Sequence, residues 1–250
     1  MVATTWQPVP SSLPALGDDV HIWRSALTQS RPACDTLRAT LAPSELARAD
    51  RFVTAELTDR FVIGRGFLRA VLARYLSIAP RDIEFYYGEH GKPALAASEA
   101  AAPLRFNLSH SHEVALLAVS RARPLGIDVE YARKTRDLDD IALRYFAHAE
   151  VAAYRALPAH QRLVAFYQCW SRKEAYLKAK GGGLAFPLGD FTVAFGPGEA
   201  PALLTSALDA DGGRSWSLLA IDAGPGYAAA IVTSAPAPRF HYFNWVVGPR

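Results

Sequence analysis

Cysteine is nearly absent: Cys34 and Cys169 are the only two in 250 residues. Two thiols support neither a disulfide framework nor a Cys-based zinc site. Cys169, beside Trp170 in an apolar stretch, reads as a small buried hydrophobe. No run of about 18 apolar residues occurs, so no membrane-spanning segment is expected. The N-terminus, Met1-Val2-Ala3-Thr4-Thr5-Trp6-Gln7-Pro8, lacks both the basic and the apolar region of a signal peptide, and a cytoplasmic protein is expected. Neither sign of charge dominates. The net charge is +3, too small for the overall field to argue for a nucleic-acid partner. There is no low-complexity tract and no short-period repeat.

What is present is globular composition, 50% apolar and 20% charged, in a chain long enough for one large or two ordinary domains. Residues 43–52 suit a short helix opening at Pro43. Residues 56–76 form the clearest helix, with Leu57, Phe61, Gly64, Leu68, Val71, Leu72 and Tyr75 at helical spacing. Gly64 on that stripe costs about 1 kcal/mol against Ala, which predicts a close neighbour. Strands are expected at 83–87, 105–109 and 114–120. After a break at 121–124 comes a strand at 125–131, then helices at about 139–146, 149–156 and 161–180. The last helix ends at Gly181-Gly182-Gly183, because glycine accepts the left-handed conformation past a helix. Strands follow at about 190–195, 215–222 and 227–233. Helices then strands, twice over, predict an α+β fold of two similar halves rather than a doubly wound sheet. The boundary is placed at 123, giving halves 1–123 and 124–250.

Two segments carry the chemistry. In Gly126-Ile127-Asp128-Val129-Glu130 a strand turns Asp128 and Glu130 to one face and Ile127 and Val129 to the other. About 40 residues on, Trp170-Ser171-Arg172-Lys173-Glu174-Ala175-Tyr176-Leu177-Lys178 sets Trp170, Glu174 and Lys178 on one helix face. Three carboxylates and a lysine suit a hard cation holding phosphates, since Mg²⁺ takes one or two carboxylates plus substrate phosphate oxygens. The plainer alternatives are a helix-surface pair between Glu174 and Lys178, worth roughly 0.2–0.5 kcal/mol, and two carboxylates on a wet strand face. A third segment, Phe106-Asn107-Leu108-Ser109-His110-Ser111, ends a strand with groups able to bond phosphate oxygens, or forms a polar turn. A Ser-His-Asp hydrolase is disfavoured: Ser109 and His110 point apart on an extended chain, and no Gly-x-Ser-x-Gly elbow exists. Arg48, Arg51, Arg60, Arg65, Arg69 and Arg74 cluster in the first half, as an anion patch or a solvated helix face.

With Gly91-Lys92-Pro93, these segments resemble, in order, those of the 4′-phosphopantetheinyl transferases of the surfactin-synthetase-activating type. The resemblance covers roughly residues 40–195. It implies a pseudo-twofold monomer of two similar α/β halves, each a small antiparallel sheet packed with helices, with coenzyme A between them. It implies transfer of the phosphopantetheine arm to a serine of an acyl or peptidyl carrier protein, as in polyketide and nonribosomal peptide synthesis. Adenosine 3′,5′-bisphosphate would be released. Carried over, Asp128, Glu130 and Glu174 would hold Mg²⁺ (or Mn²⁺). Glu174 would also help deprotonate the serine, and Lys178 would contact the phosphate chain. Lys92, Ser109 and His110, aided by Arg48 and Arg60, would bind the phosphates of coenzyme A. The second half would carry the metal site and catalytic helix, the first half the phosphate-binding segments. Arg172 departs from the apolar or variable residue expected there. An acidic carrier is expected to dock near 139–157, with Lys134, Arg136 and Arg144 for charge and Tyr145, Phe146 and Tyr154 for aromatic surface. The alternatives are another metal-dependent phosphate enzyme, such as a nuclease or nucleotide hydrolase, and a non-catalytic relative that binds coenzyme A or a carrier.

Overall fold

Alternation along the strands builds the molecule in layers. The computed structural model describes residues 4–87, 93–95, 103–135, 137–181 and 186–247. Strands β1 (Gln7–Pro8), β2 (Val20–Ala26), β5 (Leu104–Ser111), β6 (Val114–Arg121) and β12 (Phe240–Trp245) form a sheet in the order β1-β12-β2-β6-β5. The order β10-β11-β7 describes a second, antiparallel sheet of Trp216–Ile221, Tyr227–Ser234 and Leu125–Tyr131. Two small hairpins complete the strands: β3 (Phe85–Tyr87) with β4 (Pro93–Leu95), and β8 (Phe191–Val193) with β9 (Leu203–Ser206). The aromatic tail, which periodicity leaves unassigned, supplies β12. It runs parallel to β2, and β1 runs parallel to it, so the larger sheet is mixed.

Period-2 alternation gives each sheet two apolar faces. Trp23, Ala115, Leu117 and Val119 turn outward and join a core with α1 (Arg31–Arg38) and α3 (Ala55–Leu76). Ile22, Leu116 and Ala118 turn inward and meet Ile127, Val129 and Ile231 of the second sheet. The far face of that sheet, with Ala230 and Val232, carries α6 (Ala159–Lys180), alongside α4 (Leu138–Tyr145) and α5 (His148–Ala156). The expected Ile127/Val129 face is therefore the seam between two sheets.

One device occurs twice. In α2 (Pro43–Ala49) the N3 residue Glu45 accepts the backbone N–H of Ala42 and pairs with Arg69 of α3 at 2.7 Å. Glu150, at N3 of α5, accepts the N–H of Ala147 and pairs with Lys173 of α6 at 2.7 Å. Each is the glutamate half of a capping box, put to a second use as a clamp on a long helix. Arg69 and Lys173 hold the same place in helices of 22 residues. Each cation also donates to carbonyls of the chain that follows: Arg69 to Pro80 and Ile83, Lys173 to Leu188 and Phe191. Buried charge is tolerable when it is paired and hydrogen-bonded; both clamps are so held, and Glu45 Oε1 adds an ion pair with Arg65 at 3.1 Å without a hydrogen bond.

Two glycine contacts decide spacing. An added Cβ on Gly64 would sit 3.7 Å from Leu27, an ordinary contact, so the close approach expected there lies instead at Gly66, 2.6 Å from Leu37. Gly126 is tighter. A Cβ there would lie 2.2 Å from the Ala175 carbonyl and 2.3 Å from the Ala179 nitrogen. The missing side chain lets α6 rest on β7 backbone to backbone, which brings Glu174 and Lys178 over Asp128 and Glu130. Gly181 ends α6 in the left-handed conformation, φ 82°; Gly182 and Gly183 lie outside the described residues.

Candidate active site

The site forms where β5, β7 and α6 meet. β5 and β7 are edge strands of different sheets, and side chains join them. Asn107, Ser109 and Ser111 project toward β7 and accept its alternate N–H groups: Ile127 at 2.8 Å, Val129 at 3.3 Å and Tyr131 at 3.1 Å. The hydroxyls also donate, Ser109 to Asp128 Oδ1 at 2.9 Å and Ser111 to Glu130 Oε2 at 3.0 Å.

Lys178 completes the group. Its Nζ lies 2.6 Å from Asp128 Oδ1 and 3.1 Å from Ser109 Oγ. Its ion pair thus crosses to the strand. Asp128 is only 3% exposed, which corrects the wet-face alternative, and its Oδ2 is buried without a hydrogen-bond partner. Burial first, then Asp128, pushes the Glu130 carboxyl above its usual value, with Ser111 and Lys178 opposing. Glu174 is raised to about 6, by burial first and next by the Asp128 charge; Lys178 opposes and Glu130 adds to the rise. Glu130 and Glu174 are thus both raised by burial and by the Asp128 charge, with Lys178 and, at Glu130, Arg133 opposing.

No three His, Cys, Asp or Glu side chains among the described residues close into a metal cage. The acidic group fits a cation that keeps water and takes substrate oxygens, and the bare Asp128 Oδ2 is one oxygen such an ion would use.

His110 is tied to this centre through the Lys178 and Asp128 charges, while Arg48 and Arg60 stand on α2 and α3. His110 points away from Ser109, as alternation requires, and is exposed; local desolvation first, then the Lys178 ammonium, lowers its imidazole. Arg60 pairs with Glu56 at 2.8 Å, and its charge opposes the burial that raises the Tyr227 hydroxyl of the second sheet. Arg48 is exposed with its guanidinium 5.4 Å from the Phe61 ring. Ser109 is 7% exposed and held by Asp128, Val129 and Lys178. Lys92 lies outside the described residues. Arg172, which departs from the residue expected there, is buried and donates to the Ala194 carbonyl. Sequence reasoning missed Ser111 and Asn107 as working residues; the every-second-residue pattern Asn107, Ser109, Ser111 on a strand was the available signal. It also missed the Lys173–Glu150 clamp, whose trace is the glutamate three residues after Ala147.

Known proteins match both halves of the chain. Residues 26–122 match the model of the 4′-phosphopantetheinyl transferase N-terminal family, and residues 124–232 match the 4′-phosphopantetheinyl transferase superfamily. The chain is 41% identical over 245 residues to the 4′-phosphopantetheinyl transferase HetI of Nostoc sp., covering 97% of this chain and 100% of that protein. The chain belongs to the 4′-phosphopantetheinyl transferase superfamily. Against the 4′-phosphopantetheinyl transferase Sfp of Bacillus subtilis this transferase is 32% identical over 154 residues, 61% of its own length and 66% of the relative's. A solved holo-[acyl-carrier-protein] synthase of Thermotoga maritima matches at 19% identity and TM-score 0.35, over 46% of this chain and 64% of that one, too distant to bear on the argument.

Proposed function

We propose that this transferase moves the 4′-phosphopantetheine arm of coenzyme A to a serine of an acyl or peptidyl carrier protein, releases adenosine 3′,5′-bisphosphate, and uses Mg²⁺. The observation that carries the proposal is the buried pair of Asp128 with Lys178, its Oδ2 bare, with Glu130 two residues on along the strand and Glu174 one turn before Lys178 on α6. Those three carboxylates would hold the ion, and Mn²⁺ would meet the same oxygens. When bound, the metal would neutralise pyrophosphate charge and stabilise charge gathering at phosphorus.

The chain's own residues account for the rest. Glu174 takes the proton of the carrier serine; its carboxyl is raised by burial and by the neighbouring carboxylates in the metal-free protein. The serine oxygen bonds to the phosphorus that bears pantetheine. The phosphoanhydride bond breaks, and its electron pair leaves on the nucleotide. Lys178 steadies the phosphate chain. His110, Arg48 and Arg60 surround it, and Lys92 completes the set on the strength of the resemblance alone. The division of labour between 1–123, which binds phosphate, and 124–250, which holds metal and base, belongs to this reading. So does a monomer, since both halves contribute to one site within one chain. No helix of the described residues is long and apolar enough to cross a membrane.

Mass spectrometry of a purified carrier domain after incubation with coenzyme A, Mg²⁺ and this protein tests the proposal. The carrier should gain one phosphopantetheine, and Asp128→Ala should abolish the gain. Cleavage of coenzyme A with no carrier modified would instead support a nucleotide hydrolase. Binding without cleavage would support a non-catalytic relative.

A further inference from the structure

The side-chain ladder between β5 and β7 has three rungs, and their residue types follow the chemistry opposite them. Beside Ile127 the rung needs only an acceptor for an N–H, and Asn107 Oδ1 supplies it at 2.8 Å. Beside Asp128-Val129 and Glu130-Tyr131 the rung must accept an N–H and also donate to a carboxylate. A hydroxyl does both from one atom, and the residues there are Ser109 and Ser111. Each backbone N–H engages a lone pair, which steers the single hydroxyl proton onto one carboxylate oxygen.

We propose that Ser111 is a positioning residue for Glu130: it holds Oε2 in a hydrogen bond and thereby turns Oε1 toward the cation. This rests on the reading above that Glu130 is a metal ligand. The two rungs are not equivalent. Asp128 Oδ1 is held by both Ser109 and Lys178. For Glu130, the hydrogen bond to Ser111 at 3.0 Å is the one side-chain bond found among the described residues. Removing Ser109 leaves Asp128 tethered by Lys178. Removing Ser111 releases Glu130 to its other rotamers. Residues that orient a metal-bound carboxylate typically change metal affinity 10–100-fold when lost.

The test is Mn²⁺ binding to the full chain in the presence of adenosine 3′,5′-bisphosphate, followed by the electron paramagnetic resonance of free Mn²⁺. Ser111→Ala should raise the Kd for Mn²⁺ about tenfold, while metal-free binding of coenzyme A stays unchanged. Ser111→Thr keeps the hydroxyl on a strand that tolerates a β-branched residue, and should restore most of the affinity. Glu130→Gln is the reference and should lose at least as much as Ser111→Ala. If Glu130→Gln weakens Mn²⁺ binding and Ser111→Ala does not, the positioning role is wrong and the metal site stands. A Ser111→Thr variant as weak as Ser111→Ala, with an unchanged melting temperature, would also overturn it. If Glu130→Gln binds Mn²⁺ like the wild type, the ligand assignment falls and this role with it.

Discussion

Helices α3 and α6 both run for 22 residues, pack on the outer face of a sheet, and bury a cation clamped by the N3 glutamate of a short helix before them. Only α6 contributes to the group of Asp128, Glu130, Glu174 and Lys178. Where α6 has Glu174 and Lys178, the same places in α3 hold Ala70 and Arg74. Arg74 bonds the Pro10 carbonyl of the N-terminal segment at 2.7 Å. Where β7 has Asp128 and Glu130, the corresponding positions of β2 hold Trp23 and Ser25, both fully buried. Where β7 has Gly126, β2 has His21. The first half fills the space between helix and strand with rings: Trp23 and His21 both bond the hydroxyl of Tyr75 at 2.8 Å. The second half removes the side chain at 126 and sets charge into the narrowed space. The same scaffold thus gives a packed core on one side and a polar site on the other. The clamp belongs to the scaffold, and the carboxylates belong to the site.

The largest expected effect probes the shared part. Glu45→Ala strands Arg69 in the core and Glu150→Ala strands Lys173, and breaking such buried pairs costs about 3–5 kcal/mol. Urea unfolding should show similar losses for the two variants. Turnover measured well below the unfolding midpoint should fall for Glu150→Ala alone, because Lys173 adjoins Glu174. Equal losses of turnover in both would mean that the halves do not divide function in this way.

Next in size is the part not shared. General-base help is worth about 10²–10⁴-fold, so Glu174→Gln should lower kcat at least a hundredfold at saturating coenzyme A. Arg74→Ala, at the place equivalent to Lys178, should leave kcat unchanged. A fall of less than tenfold for Glu174→Gln would return that residue to the helix surface.

Much of this contrast is legible in the sequence, and the part that is not has physical reasons. Period 3.6 finds residues 56–76 and 161–180, and period 2 finds 125–131, each within about two residues of the observed element. The tail strand β12 escapes because its pairing, parallel and between β1 and β2, depends on contacts far away in sequence. Lys173 escapes because lysine is almost never fully buried unless paired, and its partner stands on another helix. Asp128 reads as solvent-facing because an alternating strand cannot reveal what covers its polar face; Gly126 lets α6 cover it. Ser111 stands within a legible polar motif, but its bond to Glu130 exists only because two sheet edges meet.

Acid sharpens the comparison because the halves respond with opposite sign. His21 is lowered to about 4, by burial first and then by the neighbouring His241, with Asp19 opposing. As pH falls from 6.5 to 4 the unfolded chain takes a proton there and the folded chain does not, so stability is lost, on the order of 2–3 kcal/mol. Glu174 behaves in reverse. Its folded carboxyl protonates near 6, before the unfolded one, so metal-free protein gains stability as pH falls from 6 toward 4.5, about 1 kcal/mol after solvent screening. In urea titrations without metal between pH 7 and 4.5, His21→Asn should flatten the loss and Glu174→Gln should steepen it. A shift of the same sign in both variants would contradict the assignment.

The smallest effect concerns which half meets the partner. Phe146 and Tyr154, at 5% and 2% exposed, belong to the core and leave the proposed docking face. What remains on α4 and α6 is Leu143, 45% exposed, Val164, 51% exposed, and Arg144 stacked on Tyr145 at 5.3 Å. Arg136 lies outside the described residues, so Arg144 carries the test. Carriers of the kind the resemblance implies are acidic, and an exposed pair contributes about 0.2–1 kcal/mol. Arg144→Glu should therefore raise the KM for carrier a few-fold and leave that for coenzyme A unchanged. Salt should lower kcat/KM for carrier in the wild type more steeply than in the variant, because rim charges act mainly on association. The matched change in the first half, Arg74→Glu, should alter neither constant. A larger carrier effect from Arg74→Glu than from Arg144→Glu would move the docking face to the first half, and a salt dependence identical in wild type and Arg144→Glu would remove Arg144 from it.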